Sequence, residues 1–368
     1  MEDDSTGEPV EILATTSDLV PTGSGKPAES QEVDWQTAMK RAIRCSQQLR
    51  RVLGLQEQPK ATAAAAFPTF VPLEFVQRIR RGDENDPLLR QVLATAAEQL
   101  PQPGFADDPV GDLDALAAPG LLHKYGGRAL VISTGACGIH CRYCFRREFP
   151  YQQAGSRESS WRPSIAYLAT HPEIDEVILS GGDPLTLVDD QLRKLTESIQ
   201  SIDHVKRLRI HTRMPIVIPQ RVTSDFVEHL GGLRLTSWVV VHVNHPHELD
   251  AAVVARLAKM IDAGIPVLNQ AVLLRGVNDE AETLIELCRQ LVNHRVQPYY
   301  LHQLDRVSGA SHFEVPVARG LELMQQVRHA LPGYAVPRYV VERPGEASKT
   351  PAVSEHPPTP TTGNHVRP

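Results

Sequence analysis

The part of the sequence best suited to chemistry is a loop with three cysteines within eight residues. Cys137, Cys141 and Cys144 follow the spacing Cys-x3-Cys-x2-Cys, which lets three thiolates meet at one metal centre. A [4Fe–4S] cluster held by cysteine alone takes four thiolates, and no fourth cysteine lies nearby. The loop therefore indicates either an incomplete motif or a cluster with one iron left open, and an open iron can bind and activate a small molecule.

Two other uses of these thiols remain as alternatives. Structural zinc usually takes four cysteine and histidine ligands, and His140 is the only further donor in the loop. A disulfide would leave one of the three thiols over, and disulfides are rare in cytosolic proteins. The other cysteines, Cys45 and Cys288, lie alone in segments with a helical pattern. We expect each of these two to be a small buried apolar side chain.

Composition excludes several classes of protein. A chain of 368 residues can bury one large core. Its net charge of −6 argues against general nucleic-acid binding, which needs a basic face. The acidic residues 1–4 are not followed by the apolar core of a signal peptide, and no apolar run reaches the length of a membrane span. We therefore expect a soluble, cytoplasmic protein that binds neither nucleic acid nor membrane.

The two ends of the chain differ in composition from its middle. Residues 1–33 are rich in Ser, Thr, Gly, Pro and acids, and residues 355–368 are rich in Pro and Thr, so both are predicted to be disordered tails. Residues 34–120 predict a helical N-terminal extension, with a basic amphipathic stretch at 39–53 and a linker of small residues at 63–66.

Apolar, β-branched runs then alternate with segments of helical pattern. The runs are residues 128–134, 176–180, 207–212, 238–243, 266–273 and 296–302, followed by one more at 335–342. Because these runs are continuous rather than alternating, they predict strands buried on both faces, as in a parallel sheet. Six such units within residues 121–342 predict an α/β protein with a partial (β/α)6 barrel. The functional residues of such a barrel lie where its strands end.

Polar residues follow several of these strands. The cysteine loop follows the first, and Gly181-Gly182-Asp183 follows the second, where paired glycines let the backbone approach a ligand. His242, His245 and His247 follow the fourth, but their spacing suits neither one helix face nor one strand face. We therefore favour histidines that line a pocket over a dedicated metal site.

A lysine that reaches such a pocket could form a Schiff base with a carbonyl cofactor. Lys124 lies just before the first strand and Lys349 follows the last strand-like run. By position, only Lys349 could fold over the end of the barrel, although position alone favours a solvated tail lysine.

Several motifs occur in one order along the chain. They are Cys-x3-Cys-x2-Cys-Phe-Arg-Arg, Leu-Ser-Gly-Gly-Asp-Pro-Leu, Arg-Ile-His-Thr-Arg, Asn-Gln-x-Val-Leu-Leu-Arg-Gly-Val-Asn-Asp, Pro-Tyr-Tyr-Leu-His-Gln-Leu-Asp and Gly-Glu-x-Ser-Lys-Thr-Pro. Over roughly residues 68–352 the chain resembles the lysine 2,3-aminomutase family of radical S-adenosylmethionine (SAM) enzymes. It most resembles the branch that makes β-lysine for the modification of translation elongation factor P.

This resemblance implies three cofactors and the residues that hold them. In the family, three cysteines bind three irons of a [4Fe–4S] cluster and SAM chelates the fourth, which assigns Cys137, Cys141 and Cys144 to the cluster. The residues implied on the SAM side are Gly181, Gly182, Asp183 and Gln270. Lys349, within a segment spanning 343–354, would hold pyridoxal phosphate (PLP) through a Schiff base.

The resemblance also implies the conversion of (S)-α-lysine to (R)-β-lysine. Arg146 would bind the substrate carboxylate, and Asp305 and Glu342 would bind its distal ammonium group. Glu342 stands where catabolic relatives have aspartate. The implied partners are an electron donor such as flavodoxin or ferredoxin and, in the same pathway, a β-lysyl ligase for elongation factor P. The alternatives are an aminomutase for another amino acid such as glutamate, a radical SAM enzyme without PLP, and a non-catalytic metal-binding protein.

Overall fold

The predicted strand runs all form strands of one open sheet. The computed structural model describes residues 33–56, 67–152 and 161–353. The strands are β1 Leu116–Ala118, β2 Leu121–Tyr125, β3 Arg128–Thr134, β4 Glu176–Gly181, β5 Arg207–Thr212, β6 Thr236–His242, β7 Val267–Val272, β8 Gln297–His302, β9 Arg338–Val341 and β10 Thr350–Pro351. Strands β3 to β9 are parallel and follow one another in chain order.

The α-helices lie mainly between the parallel strands. They are α1 Trp35–Lys40, α2 Ser46–Val52, α3 Leu73–Val76, α4 Pro87–Arg90, α5 Trp161–Ala169, α6 Asp189–Gln200, α7 Met214–Val217, α8 Ser224–Gly232, α9 Ala251–Asp262, α10 Ala281–Asn293 and α11 Val317–Ala330. Short 3-10 helices span Ala96–Gln99, Pro184–Thr186, Pro219–Arg221, Pro246–Glu248, Ser311–Phe313 and Gly333–Ala335. Because β1 and β10 end the sheet without pairing to each other, the barrel is open. The prediction of an α/β partial barrel is confirmed.

Sequence patterns explain both layers of the barrel. Strand β6 buries Val239, Val240 and Val241 in succession, as expected for a strand covered on both faces. Helix α6 buries Leu192, Leu195, Thr196 and Ile199, a spacing of three and four residues that forms one helical face. Its first turn carries acidic residues, which interact favourably with the helix dipole.

The N-terminal extension contains less helix than we predicted. Helices α1 to α4 have only four to seven residues each. The segment before α2 is extended because the backbone of Ile43 pairs with that of Val71, with N–O distances of 2.8 and 2.9 Å. The short helices are held by tertiary packing, since Trp35 and Phe75 belong to the same apolar core as the barrel strands.

The sheet begins earlier than the predicted start of the barrel. Strand β1 pairs antiparallel with β2, and β2 pairs antiparallel with β3, so the boundary at residue 120 falls in the turn between β1 and β2. Cys288 is buried as expected, but Cys45 is exposed, which contradicts our expectation. The reason is that Cys45 is the N-cap of α2, outside its packed face.

Several predicted segments lie in parts of the chain that the structure does not describe. The predicted linker at 63–66, the C-terminal tail at 355–368 and the N-terminal tail up to residue 32 lie outside the described residues. Within the described ranges, no helix is both long enough and apolar enough to cross a membrane.

Candidate active site

A cavity of about 560 Å³ occupies the interior of the open barrel. It reaches from the carboxyl ends of the strands, where the cysteine loop lies, to their amino ends, since Arg128 and Glu176 also line it. Every residue that the resemblance assigns to a cofactor or to the substrate lines this cavity. They are Cys137, Cys141, Cys144, Arg146, Gly181, Gly182, Asp183, Gln270, Asp305, Glu342 and Lys349.

The cysteine loop is held by the N-terminal extension. The backbone N–H of His140 donates to the carbonyl of Phe70 at 2.9 Å, and its ring stacks on Phe67 with centroids 5.0 Å apart. Burial raises the pKa of Cys144 to about 11 and that of Cys137 well above its usual range. Both are therefore protonated thiols at neutral pH until a metal centre replaces the protons.

Across the described ranges, no group of three or more His, Cys, Asp or Glu side chains is placed to hold a single metal ion. The use of the three thiols stays a prediction.

Two glycines bring strand β4 against the start of the cysteine loop. Gly181 has φ +111°, and a Cβ there would lie 2.8 Å from the carbonyl oxygen of Thr134. A Cβ on Gly182 would lie 2.2 Å from the carbonyl oxygen of Ala136. No larger residue fits at either position, so the backbone of the glycine pair forms part of the cavity wall.

Asp183 and Gln270 differ in how far their side chains are free to bind a ligand. The buried carboxylate of Asp183 accepts four hydrogen bonds, from Leu185, Thr212, Arg213 and Met214, at 2.6 to 3.1 Å. It therefore fixes the ends of β4 and β5 relative to each other. The side-chain amide of Gln270 makes no hydrogen bond within the described part of the chain and is available to a ligand.

Side chains of alternating charge form a continuous row along the cavity wall. Arg146 Nε lies 2.6 Å from Asp112 Oδ2, and Lys124 Nζ lies 2.6 Å from Asp112 Oδ1. Lys124 Nζ also lies 3.2 Å from Glu342 Oε1, and Lys349 pairs with the other oxygen of Glu342. We call Arg146, Asp112, Lys124, Glu342 and Lys349 the charge row.

Lys124 corrects an expectation from the sequence. We expected Lys349 alone among the lysines to reach the cavity, but Lys124 also lines it. Lys124 lies in β2, which pairs antiparallel to β3, and this pairing directs its side chain toward Asp112 and Glu342. The Lys349 side chain is 23 % exposed and ion-paired, so it is not a solvated tail lysine.

The two predicted ammonium-binding acids have opposite pKa shifts. Burial and the nearby charge of Glu342 raise the pKa of Asp305 to about 7. Burial would also raise the pKa of Glu342, but the ammonium groups of Lys349 and Lys124 lower it to about 2. Asp305 makes no side-chain hydrogen bond or ion pair within the described residues. Glu342 is therefore already paired, whereas Asp305 is free to receive a cation.

Strand β5 contributes polar residues that the sequence reading missed. Arg207, Arg209 and His211 alternate with buried apolar residues and line the cavity. The Nε2 atom of His211 is buried without a hydrogen-bond partner among the described residues, and burial lowers the pKa of this imidazole well below its usual value. The signal that could have revealed them is the alternation of polar and apolar residues in this one strand.

The three histidines after β6 separate into two groups. His242 lines the cavity, and its Nε2 lies 2.8 Å from the hydroxyl of Tyr143. His245 and His247 line a second cleft that also contains Arg80, Arg90 and Arg275. Only His242 agrees with the expectation of a histidine lining the main cavity.

Comparisons with known proteins identify the relatives of this chain. The Radical SAM superfamily profile matches residues 131–288. L-lysine 2,3-aminomutase of Escherichia coli is 42% identical over 322 residues, covering 86% of this chain and 94% of that protein. The Haemophilus influenzae L-lysine 2,3-aminomutase is 40% identical, covering 88% of this chain and 97% of that protein.

Among solved structures, Streptococcus suis SuiB bound to S-adenosylmethionine aligns with a TM-score of 0.43 at 16% identity, covering 60% of this chain and 51% of SuiB. The sequence relatives are similar over nearly their whole lengths. The chain therefore belongs to the L-lysine 2,3-aminomutase family of the radical SAM superfamily.

Proposed function

We propose that the protein is an L-lysine 2,3-aminomutase that converts (S)-α-lysine to (R)-β-lysine. The observation that carries this proposal is 42% identity to a relative of that name over 94% of its length. It is supported by a single cavity that combines three thiols, a lysine and side chains of both charges. A glutamate-specific enzyme would have no use for a free acid at Asp305, so lysine is favoured.

The reaction depends on three cofactors: a [4Fe–4S] cluster, SAM and PLP. When bound, the cluster and SAM supply an organic radical that takes a hydrogen atom from the substrate, and PLP supplies electron delocalisation. Cys137, Cys141 and Cys144 would hold the cluster. The backbone at Gly181 and Gly182, and the amide of Gln270, would hold SAM beside it, while Asp183 keeps that wall in shape.

The cavity also fits an aromatic phosphate such as PLP. Arg128, Arg207 and Arg209 line its wall and could donate to a phosphate, although Arg207 and Arg209 are ion-paired with Asp175 and Glu176. The unpartnered Nε2 of His211 offers a further polar contact. Lys349 is the lysine we assign to the covalent bond with PLP. To act as a nucleophile it must first lose a proton, and its ion-pair partner Glu342 holds the ammonium group in the cavity until then.

The charge row and Asp305 would orient the substrate. Two nitrogens of Arg146 are engaged, Nε by Asp112 at 2.6 Å and Nη1 by Ser180 Oγ at 3.2 Å. Nη2 is left to donate to the substrate carboxylate. Asp305, free of other partners within the described residues, is the main acceptor for the distal ammonium, and Glu342 contributes charge from nearby.

The test of this function is anaerobic turnover. The reconstituted protein is incubated with L-lysine, SAM, PLP and dithionite, and chromatography separates β-lysine from lysine, because the two have the same mass. We expect β-lysine from the wild type and none from Cys141→Ala or Lys349→Ala. A wild-type sample replete in iron and PLP that makes no β-lysine contradicts the proposal, and glutamate is then the next substrate to test.

We further propose that the β-lysine serves to modify elongation factor P, and that a small flavin or iron–sulfur protein such as flavodoxin or ferredoxin supplies electrons in the cytoplasm. The ending Gly-Glu-x-Ser-Lys, which resembles that branch of the family, supports the first of these. Deleting the gene should leave elongation factor P without its β-lysyl mass addition. An unchanged mass would contradict this role.

A further inference from the structure

A buried polar cluster lies directly behind one of the three cysteines. It consists of Gln91, Tyr143, Arg213, Asn244 and Glu248, which we call the Arg213 cluster. Four of its members are at most 5 % exposed and Arg213 is 6 % exposed. A guanidinium and a carboxylate buried at this depth destabilise the fold unless good hydrogen-bond geometry compensates for the lost hydration.

The guanidinium of Arg213 has two distinct sets of partners. Its Nη2 atom donates to Glu248 Oε2 at 2.8 Å and to Gln91 Oε1 at 2.6 Å. Its Nη1 atom donates to Cys141 Sγ at 2.8 Å and to the hydroxyl of Tyr143 at 2.8 Å. One side of the cation is therefore anchored by a carboxylate, and the other side faces the sulfur.

The carboxylate of Glu248, which anchors Arg213, is itself held by three hydrogen bonds. Glu248 Oε1 accepts hydrogen bonds from the backbone N–H groups of Asn244 and His245, at 3.0 and 3.1 Å, and from Gln91 Nε2 at 3.1 Å. These bonds fix the carboxylate, which in turn fixes the guanidinium. An arginine remains charged in any such environment, so Cys141 has a permanent positive charge at hydrogen-bond distance.

We propose that Arg213 is a positioning residue that raises the reduction potential of the [4Fe–4S] cluster through its bond to the Cys141 sulfur, with Glu248 holding it in place and partly offsetting its charge. Reduction by one electron adds negative charge to the cluster and its sulfurs. A hydrogen bond from a cation stabilises that reduced form, and such bonds are among the factors that set cluster potentials. The inference rests on the cluster of the proposed function, but on neither PLP nor lysine.

The experiment measures the midpoint potential of the cluster. The cluster is assembled anaerobically with iron and sulfide, without SAM, PLP or lysine, and titrated with dithionite while electron paramagnetic resonance records the reduced form. We expect Arg213→Gln to shift the midpoint to more negative potential. In Glu248→Gln, Gln91 and Tyr143 still hold Arg213, at 2.6 and 2.8 Å, so loss of the offsetting negative charge should shift the midpoint to more positive potential.

The midpoint shifts expected for Arg213→Gln and Glu248→Gln have opposite signs, and this difference distinguishes the proposed role from a merely structural one. Loss of packing would move both midpoints in the same direction or leave both unchanged, and either result overturns the proposal. Arg221→Gln is the matched control, because Arg221 is also fully buried but contacts Leu185 and Asp189 rather than a cysteine. It should lower stability and leave the midpoint as in the wild type.

Two further outcomes are decisive. If Arg213→Gln binds no cluster, the titration is made with Arg213→Lys instead. This variant should give a midpoint at or below that of the wild type, because the shorter lysine cannot reach both Glu248 and Cys141. A positive shift in Arg213→Lys, or a negative shift in Glu248→Gln, overturns the inference. A wild type that binds no cluster contradicts the proposed function itself, whereas a wild type with a cluster but no β-lysine leaves this test intact.

Discussion

At the scale of single residues, the two acids expected to bind the substrate ammonium are not equivalent. Glu342 is fully committed to Lys124, Lys349 and the hydroxyl of Tyr125. Asp305 faces the same cavity with no partner of its own in the described ranges, and its pKa is raised to about 7. A cation that binds there favours the ionised form of Asp305, so substrate binding and proton release from this carboxyl are coupled.

We therefore predict that the KM for lysine rises as pH falls below about 7, because Asp305 is then neutral in the free protein and must lose its proton to bind the ammonium. Asp305→Asn should raise KM by about tenfold or more, as expected for loss of a charged hydrogen bond of roughly 1.5–3 kcal/mol. It should also flatten this pH dependence, while iron and PLP contents stay unchanged. Steady-state kinetics from pH 6 to 9 provide the check.

The exposed Asp262, whose side chain is 62% accessible, provides the control as Asp262→Asn. This variant should keep both the KM and its pH dependence. Asp305→Asn with wild-type kinetics would remove Asp305 from ammonium binding.

At the scale of elements, the cysteine loop depends on a short 3-10 helix of the extension. Glu98 in Ala96–Gln99 accepts from Arg142 Nε at 2.9 Å and from Arg147 Nη2 at 2.9 Å. Both arginines flank Cys144, and the side chains of Arg142 and Glu98 are 0 and 3 % exposed. The loop is thus fixed to the extension through a buried carboxylate with two cationic partners.

Breaking this contact should destabilise the protein. Glu98→Gln leaves the buried guanidinium of Arg142 without a carboxylate and leaves Arg147 with Glu148 alone. Removing one partner of such a buried pair costs about 3–5 kcal/mol. Urea unfolding of the cofactor-free protein should show a loss of this order. Glu286→Gln, which removes the exposed pair with Arg289 on α10, is the control and should cost less than about 1 kcal/mol. Equal effects of the two changes would contradict a special role for Glu98.

The same elements explain how far the sequence could predict the structure. Strands β3 and β5 begin and end at the predicted residues. Strand β3 is filled with apolar and β-branched side chains, whereas β5 alternates polar residues with buried ones. The extension could not be predicted as well, since its helices of four to seven residues are stable only through packing on the barrel. The motif residues that the resemblance assigns to the site do line one cavity, and their roles stay predictions.

Residues that reach the site through strand pairing or long-range contacts could not be predicted from the sequence. Lys124 reaches the cavity because β2 pairs antiparallel to β3, and Asp112 lies in the loop before β1. Neither belongs to a recognisable motif, and neither follows a parallel strand. The link from Arg213 to Cys141 likewise joins residues 72 positions apart in the chain, which no local pattern reveals.

At the scale of the whole molecule, burying histidines in the barrel makes stability depend on pH. Burial lowers the pKa of His242 and of His302 to about 3 and that of His245 to about 4. Each is neutral when folded but takes up a proton near its usual pKa of about 6.5 when unfolded. Stability from these groups is therefore present above pH 6.5 and is lost as pH falls below it.

Asp305 acts in the opposite direction. Its raised pKa of about 7 means that the folded state binds this proton before the unfolded state does, so acid favours folding through this one group between about pH 7 and 4. Below pH 6.5, each histidine that stays neutral in the folded protein lowers the free energy of unfolding by up to about 1.4 kcal/mol for each unit that the pH falls. Burial also lowers the pKa of His211 and raises that of Asp183, so the histidines still outnumber the opposing aspartates and dominate.

We therefore predict that the free energy of unfolding of the cofactor-free protein falls by roughly 2–4 kcal/mol between pH 6.5 and 5.5. Urea titrations at the two pH values measure this change. His302→Gln should make the fall smaller, because it removes one titrating group, and Asp305→Asn should make it larger, because it removes the opposing one. The loss is a large part of the 5–15 kcal/mol typical of a domain, so the cofactor-free protein should be measurably less stable in mild acid. Stability that stays level or rises toward pH 5.5 would show that these histidines take up protons in the folded barrel.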